Sequence, residues 1–177
     1  MSKVLYIIVC AAGSAADVDK LVTLAQDAGW TVQIIATPPA LDFIDVPALE
    51  KQTGRPVRSQ YRKPGEPKSP RADAIIVAPA TYNTINKFAQ GIADTYALGL
   101  LAEAPGLGIP VVILPFVNSA LAGRAPFCRN VEQLRAEGVH VLLGPGKFEP
   151  HAPNSGADHT DTYPWHLALS ALPPSET

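Results

Sequence analysis

The chain has 177 residues, of which 47% are hydrophobic and 17% are charged, and its formal net charge is -2. This balance excludes a disordered chain, and it provides no basic surface that would capture nucleic acid. The length fits a single domain, residues 1–177. Two cysteines, Cys10 and Cys128, give neither a disulfide framework nor metal-ligand spacing. Because no apolar run approaches about 20 residues, no membrane span is expected, and the sequence favours a cytoplasmic protein with small-molecule or protein partners.

Short apolar runs alternate with helical patterns along the chain. Runs of this kind predict strands that are buried on both faces of a sheet. Strands that alternate with helices indicate right-handed βαβ crossovers, so the expected fold is α/β, with a parallel sheet inside a three-layer α/β/α sandwich. The predicted strands are residues 4–10, 32–36, 74–78, 109–114 and 139–143, and the predicted helices are 17–28, 84–101 and about 125–136, with Leu24 and Ile92 among the inward positions.

Two segments depart from this alternation. Residues 51–71 are rich in Pro, Lys and Arg and predict a mobile surface loop. Residues 144–164 contain Gly, Pro, Asn and Asp together with two histidines, and they are interpreted as a flap or a subunit-contact loop. A short helix is predicted from about residue 165.

The residues that follow each predicted strand are the candidates for a binding site. In an open parallel sheet, ligands bind beyond the carboxyl ends of the strands. Gly13 permits close backbone approach, and Ser14 and Thr37 offer hydroxyls at helix starts, a combination that favours a phosphate monoester. The chain has neither GxGxxG nor a Walker lysine, which favours a mononucleotide over a dinucleotide or a nucleoside triphosphate. Capping of the following helix is the alternative interpretation of these hydroxyls and amides.

A resemblance to a known family begins at residues 79–84. Their sequence, Pro-Ala-Thr-Tyr-Asn-Thr, resembles the Pro-Ala-Ser-Ala-Asn-Thr signature of the homo-oligomeric flavin-containing cysteine decarboxylases, which include phosphopantothenoylcysteine decarboxylase and the lantibiotic peptidyl-cysteine decarboxylases. Residues 85–94 are similar to the helix that follows in that family, and Pro115 and Asn118 match its Pro-x-Met-Asn-x-x-Met-Trp motif. The resemblance covers roughly residues 3–143.

The resemblance implies a flavodoxin-like (Rossmann-like) fold that binds FMN. It also implies oxidative decarboxylation of a cysteine-containing peptide or small molecule. In this reaction the flavin takes two electrons from the thiol, and CO2 then departs from the resulting thioaldehyde, which acts as the electron sink. Two asparagines, Asn83 and Asn118, are the catalytic candidates, because the family uses them to read the substrate carboxylate. The implied cofactor-binding residues are Gly13, Ser14, Ala15, Thr37, Thr81, Tyr82 and Thr84, with Phe116 and Val117 facing the flavin.

The chain also departs from the family. Decarboxylases of this family place a catalytic His shortly before the third strand, whereas this chain has no His before His140, which is interpreted as structural. The flap lacks the Cys of the phosphopantothenoylcysteine decarboxylases, and both methionines and the tryptophan of the second motif are replaced. Lys147, His151 and His159 are the flap residues that would replace the His, from a neighbouring subunit, if they are not surface residues.

Three functions remain open at this point. The first is decarboxylation, the second is a flavin prenyltransferase-like activity that uses basic residues such as Arg124 and Arg129, and the third is a flavin-binding regulatory or scaffold protein without decarboxylase activity. Family members assemble around the flavin, so a homotrimer or homododecamer is expected. Tyr163 and Trp165 have two interpretations, stacking on a flavin or packing against a neighbouring subunit, and the second is favoured.

Overall fold

A computed structural model describes residues 2–173, and its centre is a five-stranded parallel sheet. The strands are β1 (Val4–Val9), β2 (Thr31–Ala36), β3 (Ala74–Ala80), β4 (Val111–Pro115) and β5 (His140–Val141). Their order is β2-β1-β3-β4-β5, the doubly wound order of flavodoxin-like proteins. Each apolar run that predicts a strand lies in this sheet, so the predicted fold class is confirmed.

Seven α-helices flank the sheet within the described part of the chain. They are α1 (Asp19–Asp27), α2 (Val46–Thr53), α3 (Tyr82–Ala89), α4 (Tyr96–Glu103), α5 (Ser119–Ala122), α6 (Ala125–Ala136) and α7 (Trp165–Ser170). α1 packs against α7, while α3 packs against α4 and α6. These contacts place a helical layer on either side of the strands. None of the helices in residues 2–173 is long and apolar enough to cross a membrane.

The helix predicted over residues 84–101 is wrong, because the chain forms two helices there. Gly91 has a φ of 72°, the left-handed conformation that commonly ends a helix. Thr95 then begins α4, since its hydroxyl accepts a hydrogen bond from the backbone of the first turn. Ile92 lies in the break between α3 and α4 and is 44% exposed rather than inward.

The first part of the predicted 51–71 loop is helical. α2 runs to Thr53, begins at a capping Asp45 and has Pro47 in its first turn, where proline is well tolerated. Beyond it, Arg58 pairs with the edge of β2 through two backbone hydrogen bonds of 2.7 and 3.0 Å. The Tyr6 hydroxyl donates to Pro70 O at 2.6 Å. Residues 51–71 therefore lie on the surface as predicted, but they are attached to the sheet at both ends.

Smaller differences concern α1 and the chain end. Leu24 is more exposed than its predicted inward position in α1 requires. Tyr163 and Trp165 are each 5% exposed within their own chain, so they do not need a neighbouring subunit for burial. The Tyr163 hydroxyl donates to Leu114 O at the end of β4, and the ring packs edge-on against Trp165 with centroids 4.7 Å apart. These contacts attach the end of the flap to the sheet.

Candidate functional site

The turn after β1 holds a buried hydroxyl that lacks a partner. Ser14 lies in a 3-10 turn, Gly13–Asp17, and is fully buried, yet its Oγ has no hydrogen-bond partner among residues 2–173. A buried hydroxyl left unpaired costs about 1–3 kcal/mol. An anion bound at this turn would remove that cost by accepting the hydrogen bond. Gly13 is exposed while Ser14 and Ala15 are buried, so the turn combines a surface glycine with an unpaired hydroxyl donor, the chemistry that a phosphate oxygen requires.

Thr37, which follows β2, also has no capping role. It directly precedes a 3-10 turn, Pro38–Asp42, but its side chain makes no capping hydrogen bond. Its backbone N–H donates to Val9 O at 2.9 Å, which joins the end of β2 to the end of β1. Ser14 and Thr37 therefore follow adjacent strands, and neither hydroxyl caps the turn that comes after it.

The hydroxyls after β3 are used by the fold itself. Thr81 caps α3, because its Oγ1 accepts a hydrogen bond from Thr84 N–H at 3.3 Å. Thr84 is buried, and its Oγ1 accepts the Cys10 S–H bond at 3.3 Å. Burial raises the pKa of the Cys10 thiol, so the thiol remains a protonated donor. At these two positions the structure shows capping and packing, the alternative that the sequence left open.

Tyr82 and Asn83 lie in the first turn of α3. The Tyr82 ring stacks on Phe127 of α6, with centroids 5.4 Å apart and planes at 22°. Phe127 is fully buried, so Tyr82 belongs to the packing between α3 and α6. Asn83 is exposed on the surface of the same turn.

The turn after β4 presents Phe116, Val117 and Asn118. Phe116 is half-buried, whereas Val117 is part of the hydrophobic core. The Asn118 side chain caps α5, because its Oδ1 accepts from Leu121 N–H at 3.0 Å. A cap of this kind uses only the oxygen of the amide, so the NH2 group can still donate to a carboxylate.

The flap brings two histidines to this turn. Ser119 N–H donates to His151 O at 2.7 Å, and the His151 ring lies 5.0 Å from the Phe116 ring, measured between centroids. His159 stacks on His151, with centroids 5.2 Å apart and planes at 21°. Burial and, secondarily, the charge of His159 lower the pKa of His151. His151 is therefore a neutral imidazole near neutral pH, a form that can accept a proton.

Close packing holds the flap against both ends of the site. A Cβ added to Gly156 would lie 3.5 Å from Phe116 Cε1, so this glycine of the flap lies close to the turn after β4. At the other end, Thr160 Cγ2 would lie 3.5 Å from a Cβ at Gly13. The flap therefore spans the strand ends from the turn after β4 to the turn after β1.

His151 and His159 lie in the site of their own chain, whereas the sequence predicts that these candidates come from a neighbouring subunit. Phe148, Tyr163 and Trp165 were the available signal, because aromatic residues in a Gly/Pro-rich segment indicate that the segment packs against something. In the structure Phe148 and Tyr163 both lie against Phe116, with centroids 6.0 and 5.6 Å away.

The strand order and the buried, unpaired hydroxyl after β1 define a flavodoxin-like α/β protein whose first turn suits an anion. The chain belongs to the Flavoprotein family, whose model matches residues 1–162. This confirms the family resemblance, and it supports a flavin as the cofactor.

Individual proteins show the same relationship. The chain is 31% identical over 146 residues to the coenzyme A biosynthesis bifunctional protein CoaBC of Thermococcus kodakarensis, an alignment that covers 77% of this chain and 36% of that protein. The chain thus spans about a third of the length of this curated relative.

Solved structures share the fold over nearly the whole chain. The FMN-dependent cysteine decarboxylase SpaF superposes with a TM-score of 0.67 at 23% identity, covering 96% of this chain and 98% of SpaF. A PPC decarboxylase mutant complexed with pantothenoylaminoethenethiol gives 0.70 at 18% identity, covering 97% of this chain and 100% of that one. At these identities the likeness establishes the flavodoxin-like fold.

Proposed function

We propose that the chain binds FMN and catalyses the oxidative decarboxylation of a cysteine-containing peptide or small molecule. The fully buried Ser14 hydroxyl without a partner carries the cofactor part, because a phosphate monoester supplies the missing acceptor. Family membership and the FMN dependence of SpaF support the same cofactor. The proposed phosphate contacts are Gly13, Ser14, Ala15 and Thr37, and the proposed flavin contacts are Thr81, Tyr82, Thr84, Phe116 and Val117.

The proposed reaction removes CO2 and two hydrogens, with their two electrons, from the substrate. When bound, the flavin accepts the two electrons that leave the cysteine thiol. The carbon that bears the thiol loses a hydride, which carries these two electrons, and the sulfur loses a proton, so a thioaldehyde forms. The electron pair of the bond to the carboxylate then moves toward sulfur as CO2 departs, and the enethiolate takes up a proton to give the enethiol product. The chain's own task is to bind the carboxylate, exclude water and accept the thiol proton.

Asn118 and His151 suit these tasks. Asn118 retains its NH2 group as a donor for the substrate carboxylate, and exposed Asn83 is the second candidate for that role. His151 replaces the His that the sequence lacks before β3, because its neutral imidazole lies against Phe116 and its backbone pairs beside Asn118. We assign it the role of base for the thiol proton.

The assembly and location are also part of the proposal. We expect a cytoplasmic homotrimer or homododecamer, as the family resemblance implies. Light scattering coupled to size-exclusion chromatography measures the assembly directly. A monomer that binds FMN would leave the cofactor part intact and contradict the oligomer.

Mass spectrometry tests the activity. FMN-loaded protein is incubated anaerobically with a library of peptides that end in cysteine and with small cysteine conjugates. A substrate loses one CO2 and two hydrogens while the visible flavin absorbance is bleached. If FMN binds but no library member changes mass, the decarboxylase assignment is wrong, and if FMN does not bind, the cofactor assignment fails as well.

A matched pair of variants isolates the base. His151→Gln should lower turnover by about 10²-fold or more while FMN still binds. His166→Gln changes an exposed histidine on α7 and should leave turnover unchanged. Equal turnover in the two variants would remove His151 from the mechanism.

A further inference from the structure

A second cavity lies beneath the segment that crosses from β2 to β3. Its volume is about 250 Å³, and its walls include Tyr6, Arg58, Tyr61, Arg62, Lys68 and Tyr96. Tyr6 pairs in register with Ile75, close to the beginning of β3. The strand-end site begins at Cys10, four residues further along the chain from Tyr6 and therefore about 13 Å away at 3.3 Å per residue. Within one chain the two sites are thus separate.

The charge of this cavity is positive. Arg58, Arg62 and Lys68 line it, and the nearest acidic partner is Glu66, whose Oε2 lies 3.6 Å from Arg58 Nη1. The same carboxylate oxygen accepts a hydrogen bond from Lys63 N–H at 2.9 Å. The ion pairs formed between residues 2–173 include neither Arg62 nor Lys68. Among residues 2–173, Arg58 is therefore the one member of these three cations that pairs with a carboxylate.

Backbone carbonyls hold the two guanidinium groups in position. Arg58 Nη2 donates to Pro67 O at 3.2 Å, and Arg62 Nη1 donates to Glu66 O at 3.1 Å. These bonds fix the side chains without neutralising them. The Arg58 side chain is only 19% exposed, so its charge is partly shielded from water. A partly buried, positioned guanidinium binds carboxylate or phosphate better than a freely mobile one does.

Tyrosine rings form the apolar walls. Tyr61 and Tyr96 meet edge-on with centroids 5.2 Å apart, although Tyr61 is 66% exposed. Tyr6, Arg58 and Tyr96 line the same cavity. Burial raises the pKa values of Tyr6 and Tyr96, and the charge of Arg58 opposes this rise in both. An exposed aromatic ring beside unpaired cations suits a flat ligand with a negative group.

We propose that this cavity binds a small organic anion, a carboxylate or phosphate attached to a single flat ring. Arg58, Arg62 and Lys68 bind the anionic group, and the tyrosine rings contact the flat body. The volume lies just below the range of about 300–1,000 Å³ that is typical of small-molecule pockets, so one ring is the size that fits. This site does not depend on the function proposed above.

Isothermal titration calorimetry tests the site. FMN is present in excess so that the probes do not enter the strand-end site. The probes are phenyl phosphate, benzoate, inorganic phosphate and neutral benzyl alcohol. Phenyl phosphate or benzoate should bind one per chain, at least about tenfold more tightly than the other two probes, since each lacks either the ring or the charge. Which anion binds better identifies the preferred head group.

Variants in the same loop distinguish a specific binding site from non-specific attraction by surface charge. Arg62→Gln should weaken the anion by about tenfold, the loss expected for a charge-assisted hydrogen bond. Lys63→Gln removes a neighbouring cation that does not line the cavity and should change affinity by less than about twofold. Glu66→Gln should strengthen binding about twofold, because it removes the competing carboxylate.

A steric variant tests the aromatic wall. A Cβ at Gly99 of α4 would collide with the Tyr61 hydroxyl, so Gly99→Ala should displace that ring and weaken the ring-bearing probes. Alanine favours the helix over glycine, so folding is retained. The proposal is overturned if neither ring-bearing anion binds, if inorganic phosphate or benzyl alcohol binds equally well, or if Lys63→Gln weakens binding as much as Arg62→Gln does.

Discussion

The turns after β1 and β2 differ from those after β3 and β4, although all four carry small polar residues. Ser14 and Thr37 follow the first two strands, and neither side chain caps the turn that it enters. Thr81 and Asn118 follow the other two strands, and each side chain caps the next helix. Small polar residues therefore cap helices on one side of the site and make no capping hydrogen bond on the other.

This difference separates stability from binding. A capping side chain stabilises the protein without any ligand, so its removal should destabilise the empty protein. A buried hydroxyl without a partner does the opposite, because it costs free energy until a ligand arrives. Substitutions at these positions test this separation.

Phe127→Ala should remove the packing beneath the turn after β3 and destabilise the protein. Phe127 is fully buried and stacks on Tyr82, so its truncation leaves a cavity beneath the first turn of α3. The expected loss is about 3–5 kcal/mol in the free energy of unfolding, measured by urea denaturation. Phe43→Ala, at a side chain that is 46% exposed, is the control and should cost far less. Similar losses in both variants would show that Phe127 does not anchor this turn.

Ser14→Ala should separate binding from stability. It removes the unpaired hydroxyl, so the free energy of unfolding of the FMN-free protein should stay the same or rise slightly. FMN affinity should fall about tenfold, as expected when one hydrogen bond to a charged phosphate is lost. Fluorescence titration measures the affinity and urea denaturation the stability. Thr23→Ala on the exposed face of α1 is the control for affinity. A clear loss of stability in Ser14→Ala without FMN would show that the Ser14 hydroxyl is not an unpaired group that costs free energy.

Asn118→Ala, unlike Ser14→Ala, should destabilise the FMN-free protein. It removes the cap of α5 and should cost about 1 kcal/mol in the free energy of unfolding. Asn118→Ser keeps a capping hydroxyl and should recover most of that stability. If Asn118→Ala unfolds at the same urea concentration as the wild type, the cap contributes nothing and the contrast with Ser14 disappears.

The sequence predicted the sheet well because strands buried on both faces consist of uninterrupted apolar residues. It also identified the polar residues at the strand ends, since these interrupt the apolar pattern. It did not predict which of them cap helices, because Ser14, Thr81 and Asn118 all belong to the residue types that favour the capping position. Whether a hydroxyl meets a backbone N–H depends on the backbone path of its turn, and that is visible only in three dimensions.

The same limit explains the errors over longer segments. The helical pattern over residues 84–101 continues through Gly91, but the left-handed conformation of that glycine ends α3. Residues 51–71 and 144–164 have loop composition, yet a few contacts attach them to the sheet, such as the bond from Tyr6 to Pro70. Tertiary contacts between distant residues leave no periodic signal in the sequence, so the position of His151 could not be predicted.

The lowered pKa of His151 in the flap should make the stability of the protein depend weakly on pH. The pKa of His151 is lowered by burial and by His159, so the unfolded chain, whose histidine pKa is about 6.5, binds a proton more readily than the folded one. The stabilisation is therefore complete above about pH 6.5 and is lost as the pH falls through the lower, folded-state pKa. His151 and His159 line a cavity in the flap together with Lys147 and Glu149; Lys147 adds to the positive charge there, while Glu149 opposes it.

Thermal unfolding at about pH 8 and about pH 5 measures this effect. The wild-type midpoint should fall more between these pH values than that of His151→Gln, which cannot gain the proton, and His166→Gln should behave like the wild type. The difference should be small, because the imidazole is only half-buried and water screens its charge. If His151→Gln keeps the full pH dependence, His151 is not the group whose pKa is lowered on folding. The argument that a neutral His151 accepts the thiol proton would then fail.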